Sequence, residues 1–288
     1  MTPTILLPID VTGGPEPAVD HALHLAEQLD ATVHVLTVVE TANDLPDLDA
    51  DDRRTIRDAV EQQGRESIED ISERAVGRGL DTVGTVHEGS AYQRIVEYAE
   101  EHTPEYIIMG TRVRSSPSGI GMGSTTERVI LQSSSPVIAI PLEDTADEQL
   151  AFEHIVIATD GSDQAERAAL RGFELAEMFG ADVSILYVVD TSTYELADVP
   201  RSIVGLLKEG GQTALQHLEE MNSEREVPVT TEVRRGVPDR ELLSFTAEAQ
   251  GDLTVMGVSG RGGVGDRFLG STTARVLRQT TRPVLTVR

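Results

Sequence analysis

Residues 253–260 read Leu-Thr-Val-Met-Gly-Val-Ser-Gly, and Gly270-Ser271-Thr272 follows after a gap of nine residues. An apolar run thus leads into a glycine-rich turn, and an apolar-periodic segment from Ala274 predicts a helix behind it. Glycines let backbone N–H groups approach an anion, and a helix N-terminus presents unpaired N–H groups and the positive end of its dipole. Ser271 adds a hydroxyl near the start of that helix. The stretch predicts a strand–loop–helix unit of an α/β fold that can hold a phosphate.

Two common phosphate-binding motifs fit this loop poorly. Residues 260–265 match GxGxxG, but the predicted helix begins only beyond Gly270, so the dinucleotide fingerprint lacks its context. The segment from Gly265 to Ser271 resembles the end of a P-loop, yet no lysine stands before Ser271. A flexible connection without any ligand is the plain alternative for a glycine-rich loop.

The same pattern occurs twice along the chain. Residues 5–10 (ILLPID) correspond to residues 155–160 (IVIATD) at an offset of 150. At an offset of 147, residues 109–110 correspond to 256–257, and residues 123–126 correspond to 270–273. A short polar piece separates the copies. The sequence therefore predicts two domains, residues 1–142 and 152–288, joined by a linker at 143–151.

Apolar runs alternate with helical periodicity in each copy, which predicts right-handed βαβ units and a parallel sheet covered on both faces. The fold class is α/β, with two doubly wound domains of five strands each. Predicted strands lie at 4–9, 32–39, 82–87, 106–109 and 137–140, and at 154–159, 182–189, 229–234, 253–256 and 284–287. Predicted helices of copy one lie at 17–29, 54–77, 91–102 and 125–132.

The spacing Gly-x2-Gly-x9-Gly-Ser after an apolar strand resembles the nucleotide-binding loop of the universal stress proteins, and the resemblance covers nearly the whole chain twice. It implies strand order 3-2-1-4-5 in each domain. It also implies a stress-response regulator that binds ATP, AMP or ADP, with or without Mg²⁺. In this family the last strands pair between domains, so the resemblance implies a pseudo-dimer of the two copies, with a further homodimer as an additional expectation.

The resemblance assigns an adenosine contact to the aspartate that ends the first strand, an adenine contact to a valine, and phosphate contacts to the loop. The methionine that leads into the loop could pack against the sugar or the base. In copy two these residues are Asp160, Val189, Met256, Gly257, Gly260, Arg261, Gly270, Ser271 and Thr272; in copy one they are Asp10, Val39, Met109, Gly110, Gly123 and Ser124. From the residues alone, Asp160 or Ser162 can equally cap the helix entered near Ala165. The valines and methionines are equally compatible with an ordinary core.

Copy one departs from the family pattern, because Val113 replaces the second glycine. A β-branched residue resists positive φ and the close approach of a ligand to the backbone. We therefore expect nucleotide binding mainly in copy two. Arg261 and Arg267 in its loop, and Arg275 one helical turn beyond Ser271, would offset the negative field that repels a phosphate.

The chain has 288 residues, with 49 acidic and 24 basic side chains and a formal net charge of −25. This charge opposes binding to nucleic acids. Lys208 is the sole lysine, and an acidic, lysine-poor composition is typical of proteins from halophilic microbes. No segment approaches the roughly 20 apolar residues that span a bilayer. With no basic signal segment at the start and no cysteines, we expect a cytoplasmic protein that does not enter membranes.

No motif supplies a nucleophile or a general base, so no catalytic residue is assigned. His21 and His24 lie three apart on a predicted helix, and with no motif to complete a metal site they are interpreted as exposed. Two alternatives to nucleotide binding remain open. One is slow ATP hydrolysis or phosphoryl transfer with Asp160 holding a metal, and the other is a protein-interaction module without nucleotide.

Overall fold

A computed structural model describes residues 2–40, 50–111, 122–141, 152–191, 201–260 and 268–288. The chain divides into two compact units. The described residues up to 141 form the first unit, and the described residues from 152 onward form the second. The predicted linker at 143–151 also lies outside the described residues, so the limits of the two domains stay predictions.

The first unit alternates strands and helices. Its elements are β1 (Thr4–Ile9), α1 (Glu16–Leu29), β2 (Thr32–Val39), α2 (Ala50–Gly77), β3 (Thr82–Glu88), α3 (Ala91–His102), β4 (Tyr106–Thr111), α4 (Ser124–Gln132) and β5 (Val137–Pro141). The strands are arranged in the order β3-β2-β1-β4-β5, and each neighbouring pair runs parallel.

The second unit repeats this plan. Its elements are β6 (His154–Thr159), α5 (Asp163–Phe179), β7 (Asp182–Asp190), α6 (Arg201–Asn222), β8 (Val229–Gly236), α7 (Pro238–Glu248), β9 (Leu253–Gly257), α8 (Ser271–Gln279) and β10 (Val284–Val287). Within this unit the order is β8-β7-β6-β9-β10, again parallel throughout. The predicted fold class and the strand order 3-2-1-4-5 are confirmed in both units.

The central strands are buried on both faces, as their near-continuous apolar sequence predicts. Ile5, Leu6 and Leu7 of β1 are each 0% exposed, and so are the three apolar residues 155–157 of β6. A strand buried on one face only would show alternating exposure instead. The helices supply the covering layers, and α5 buries a face rich in alanine together with Phe173. Small side chains let that helix lie close to the sheet.

Two local predictions differ from the structure. The second helix begins at Ala50 rather than at Arg54, since Asp51 and Asp52 lie in its first turn, where carboxylates suit the positive end of the helix dipole. The interpretation of His21 as exposed is wrong, because its exposed fraction is 6%. Residue 21 lies three positions beyond Ala18, on the buried face of α1. Within the described ranges, no helix is long and apolar enough to cross a membrane.

Candidate functional site

The candidate site of the second unit lies where β6 and β9 end. These strands are parallel neighbours in the sheet, with Ile157 paired to Val255. On its other side β9 pairs with β10, and Gly257 lies opposite Val287. The residues that follow β6 and the residues that follow β9 therefore leave the sheet at the same edge. In doubly wound sheets this edge is where ligands bind.

Asp160 and Gly260 lie directly against each other at this edge. Asp160 Oδ1 accepts a hydrogen bond from the Ser162 N–H at 3.0 Å. A Cβ atom added to Gly260 would overlap Asp160 Oδ2, so a larger residue requires the carboxylate or the loop backbone to move. The structure thus brings together the acid after the first strand of the unit and the second glycine of the loop.

Ser162, rather than Asp160, is the N-cap of α5. Its Oγ accepts a hydrogen bond from the Ala165 N–H at 3.3 Å, and the helix begins at Asp163. Gly161 makes the sharp turn before it with φ of +72°, a conformation that glycine adopts without strain. Helix capping therefore accounts for Ser162. Asp160 uses one oxygen to fix the turn before the helix, and its second oxygen lies beside Gly260.

The start of the glycine loop is attached to α5 through Gln164. Its Oε1 accepts two hydrogen bonds from Ser259, one from the backbone N–H and one from Oγ, each at 2.8 Å. The Gln164 side chain also lies over Gly257, where an added Cβ would come within 3.2 Å of Gln164 Cβ. Contact this tight favours glycine at position 257.

The end of the loop is attached to its own beginning. The Gly270 N–H donates to the Val258 carbonyl at 2.9 Å, and Thr273 Oγ1 donates to the Gly257 carbonyl at 2.9 Å. Gly270 is the N-cap of α8, and no side chain of the described residues caps this helix. Its first turn begins with Ser271, which is exposed, and Thr272, which is half-buried. The N–H groups of a first helical turn have no acceptor within the helix, so they can donate hydrogen bonds to an anion.

The remaining predicted residues of the second unit fall into three groups. Val189 and Met256 are buried, with exposed fractions of 6% and 4%, so they are core residues at the ends of their strands. Arg261, like Arg267, lies outside the described residues. Arg275 Nη1 pairs with the buried Asp239 of α7 at 3.1 Å, so this arginine already has an acidic partner within the protein.

The first unit places its equivalent residues differently. Asp10 Oδ1 accepts hydrogen bonds from its own loop, from Thr12 N–H at 2.8 Å, Thr12 Oγ1 at 2.5 Å and Gly14 N–H at 3.4 Å. A Cβ at Gly110 would overlap Pro15. The other predicted residues of this unit keep the positions expected at the strand ends and helix start: Val39 and Met109 are buried, Gly123 is the N-cap of α4 and Ser124 is its first residue. Val113 lies outside the described residues.

The sequence did not reveal two residues of the site, Thr273 and Gln164. Thr273 donates from Oγ1 to the Gly257 carbonyl, and its equivalent in the first unit, Thr126, donates to the Gly110 carbonyl at 3.2 Å. The repeat itself could have revealed this pair, since both copies read Gly-Ser-Thr-Thr. Gln164 carries no comparable signal, because its equivalent in the first unit is Gly14.

Comparison with known proteins points to a single family. The profile of the Universal stress protein family matches residues 1–141 and 151–288. A universal stress protein of Methanocaldococcus jannaschii is 39% identical over 140 residues, which make up 48% of this chain and 82% of that protein. One of Mycolicibacterium smegmatis is 26% identical over 244 residues, or 81% of this chain and 80% of that protein.

A solved structure extends the likeness to the fold of the whole chain. The crystal structure of a universal stress protein from Archaeoglobus fulgidus matches with a TM-score of 0.74 and 22% sequence identity, over 100% of this chain and 97% of that one. At this identity the match concerns the fold alone, whereas the family profile covers both copies in sequence. The chain therefore belongs to the universal stress protein family, as a tandem of two copies of its domain.

Proposed function

We propose that the second unit binds an adenine nucleotide, ATP or the related ADP or AMP, and that the protein acts in this way as a cytoplasmic regulator of a stress response. The observation that carries the proposal is the contact of Gly260 with Asp160 beside the N-terminus of α8. The start of α8 and the carboxylate thus both lie next to residues 258–260, because the Gly270 N–H donates to the Val258 carbonyl and Gly260 lies against Asp160. A nucleotide has the matching pair of groups, its phosphates and its ribose hydroxyls.

Each predicted residue then has a role in holding the nucleotide. The Asp160 carboxylate would accept hydrogen bonds from the ribose, and the buried side chains of Val189 and Met256 would border the base. Backbone N–H groups of the loop and the hydroxyl of Ser271 would bind the phosphates. Mg²⁺ belongs among the ligands to be tested with ATP, since Asp160 offers it a carboxylate oxygen.

The first unit is proposed as the weaker binder. Its aspartate oxygen is engaged by three donors of its own loop, and its sequence has Val113 where the second unit has the glycine that lies against Asp160. The pseudo-dimer of the two copies, a further homodimer and the halophilic origin all stay proposals that rest on the family resemblance and the composition.

Gly260→Val tests the proposed site directly. The new Cβ would overlap Asp160 Oδ2 and push the loop away from the carboxylate, so we expect ATP affinity to fall at least about tenfold, equivalent to roughly 1.4 kcal/mol. Isothermal titration of ATP, with and without Mg²⁺ and in 2 M KCl to suit an acidic protein, measures the change. Gly210→Val is the matched control, because an added Cβ there meets no atom within 4 Å.

The wild-type titration also decides between the proposed function and its rival. Binding that is lost in Gly260→Val and kept in Gly210→Val supports the site. If wild type and Gly260→Val bind ATP with equal affinity, the nucleotide binds at another place on the protein. A wild type that takes up no ATP, ADP or AMP would leave an interaction module without nucleotide.

A further inference from the structure

Gln164 holds the start of the glycine loop through two bonds to a single residue. The amide oxygen accepts from both the N–H and the Oγ of Ser259, each at 2.8 Å. The first bond sets the direction of the peptide, and the second sets the rotamer of the serine side chain. One acceptor therefore controls both the backbone and the side chain at the position immediately before Gly260.

Ser259 lies between two other points of attachment. On one side the Val258 N–H donates to the Val287 carbonyl at 2.9 Å, which continues the sheet. On the other side Gly260 lies against Asp160. Ser259 is thus the link that turns the chain from the strand toward the carboxylate, and Gln164 is the side chain that holds this link.

Gln164 is positioned by the first turn of α5 and by its contact with Gly257. It is the second residue of α5, whose first turn is capped by Ser162. Its stem lies against Gly257, where even a methyl group would come within 3.2 Å of Gln164 Cβ. A side chain with few accessible rotamers transmits the position of its helix to whatever it binds. The position of α5 is in this way passed to the loop.

We infer that Gln164 is a positioning residue, which holds Ser259 and so the described start of the loop, residues 258–260, in the conformation that the nucleotide needs; the inference rests on the function proposed above. A loop held in its binding conformation before the ligand arrives does not have to be ordered at the moment of binding, and affinity gains accordingly. The first unit lacks this attachment, because its equivalent of Gln164 is Gly14, which has no side chain.

Hydrogen exchange of the Ser259 amide in the ligand-free full-length protein tests the positioning itself. Gln164→Met keeps the length of the side chain and removes the acceptor, and we expect the amide to exchange at least about tenfold faster. Gln164→Glu keeps an acceptor oxygen, and we expect protection close to that of the wild type. Gln216→Met is the matched control, since that glutamine is exposed on α6 and its side chain donates to Glu220 of the same helix at 3.3 Å.

Titration of the same variants with ATP tests whether the positioning serves the nucleotide. We expect Gln164→Met to bind about tenfold more weakly than wild type, and Gln216→Met to bind equally well. Faster exchange together with weaker binding supports the inference. Unchanged exchange in Gln164→Met overturns it, and so does faster exchange with unchanged affinity. A wild type that binds no nucleotide overturns the proposed function and this role together, while the exchange data still show whether Gln164 holds Ser259.

Discussion

Asp160 and Asp10 show how one residue type at one position of a repeated domain acquires two settings. Asp10 is exposed, and its Oδ1 accepts three hydrogen bonds from residues two and four positions further along its own loop. Asp160 is partly buried, uses Oδ1 for the Ser162 N–H and holds Oδ2 beside Gly260. The chain after each aspartate differs, because Thr12 and Gly14 supply the donors to Asp10, whereas Ser162 supplies the donor to Asp160.

Asp160→Ala is expected to weaken ATP binding roughly tenfold to a hundredfold, because a hydrogen bond to a charged group is worth about 1.5–3 kcal/mol. Removal of a negative charge would by itself favour the phosphates, but 2 M salt limits that effect to a few ångströms. The lost hydrogen bonds therefore dominate. Titration of ATP into the variant in 2 M KCl measures the change.

Asp182→Ala serves as the control, because it also removes one negative charge but lies at the start of β7, away from the strand ends that form the site. We expect its ATP affinity to equal that of the wild type. If Asp160→Ala and Asp182→Ala bind ATP equally well, the carboxylate of Asp160 takes no part in binding.

At the scale of single elements, the starts of α1 and α5 differ although the helices are equivalent. α5 begins at Asp163 behind the cap made by Ser162, whereas α1 begins three positions later in the repeat, at Glu16 behind Pro15. In the first unit the intervening residues include Gly13 and Gly14, both with positive φ. The earlier start of α5 places Gln164 inside the helix, where its side chain reaches the glycine loop.

Ser162→Ala is expected to lower the free energy of unfolding by about 1 kcal/mol, because the Ala165 N–H loses its capping acceptor. Ser90→Ala is the matched control, since Ser90 is the N-cap of α3 but makes no capping hydrogen bond among the described residues. Urea unfolding followed by circular dichroism compares the two midpoints at equal slope. Equal losses in both variants would show that the Ser162 hydroxyl does not stabilise α5.

At the scale of the whole molecule, the large excess of negative charge affects stability independently of how either core is packed. The formal net charge is −25 on 288 residues. Local pairing offsets part of it: Arg74 of α2, for example, contacts Glu16 and Asp20 of α1 at 3.0 Å and 2.8 Å. Such surface pairs contribute only about 0–1 kcal/mol each. Repulsion among the remaining carboxylates therefore opposes the compact state unless salt screens it.

The thermal midpoint is expected to rise by about 5 °C or more between 0.1 M and 2 M KCl, as the screening length falls from about 10 Å to below 3 Å. A rise of that size corresponds to roughly 1–2 kcal/mol. Sucrose at matched osmolality is the control, since it is excluded from the protein surface but does not screen charge. A midpoint that stays constant or falls in KCl would contradict the role assigned to repulsion.

Most of the fold was predictable, because its signals are local. Near-continuous apolar runs predicted the ten strands with small errors at their ends, while the strand order came from the family resemblance. The helix limits were less accurate, as the start of α2 at Ala50 shows, since an exposed acidic turn has no apolar periodicity to mark it. The approach of Asp160 to the start of the glycine loop depends on the same strand order, because the two segments follow β6 and β9, which are neighbours in the sheet.

By itself, the sequence predicted the α/β fold class and the duplication of the domain, and it supplied the residues that are proposed to hold a phosphate. Only the tertiary structure decided that Gln164 binds Ser259, that Arg275 is paired with Asp239 and that His21 is buried. Gln164 and Ser259 lie 95 positions apart, and no periodicity or motif connects residues at such a separation. Their contact depends on the path of α5 over the sheet and on the place of β9 beside β6, which exist only after the chain has packed.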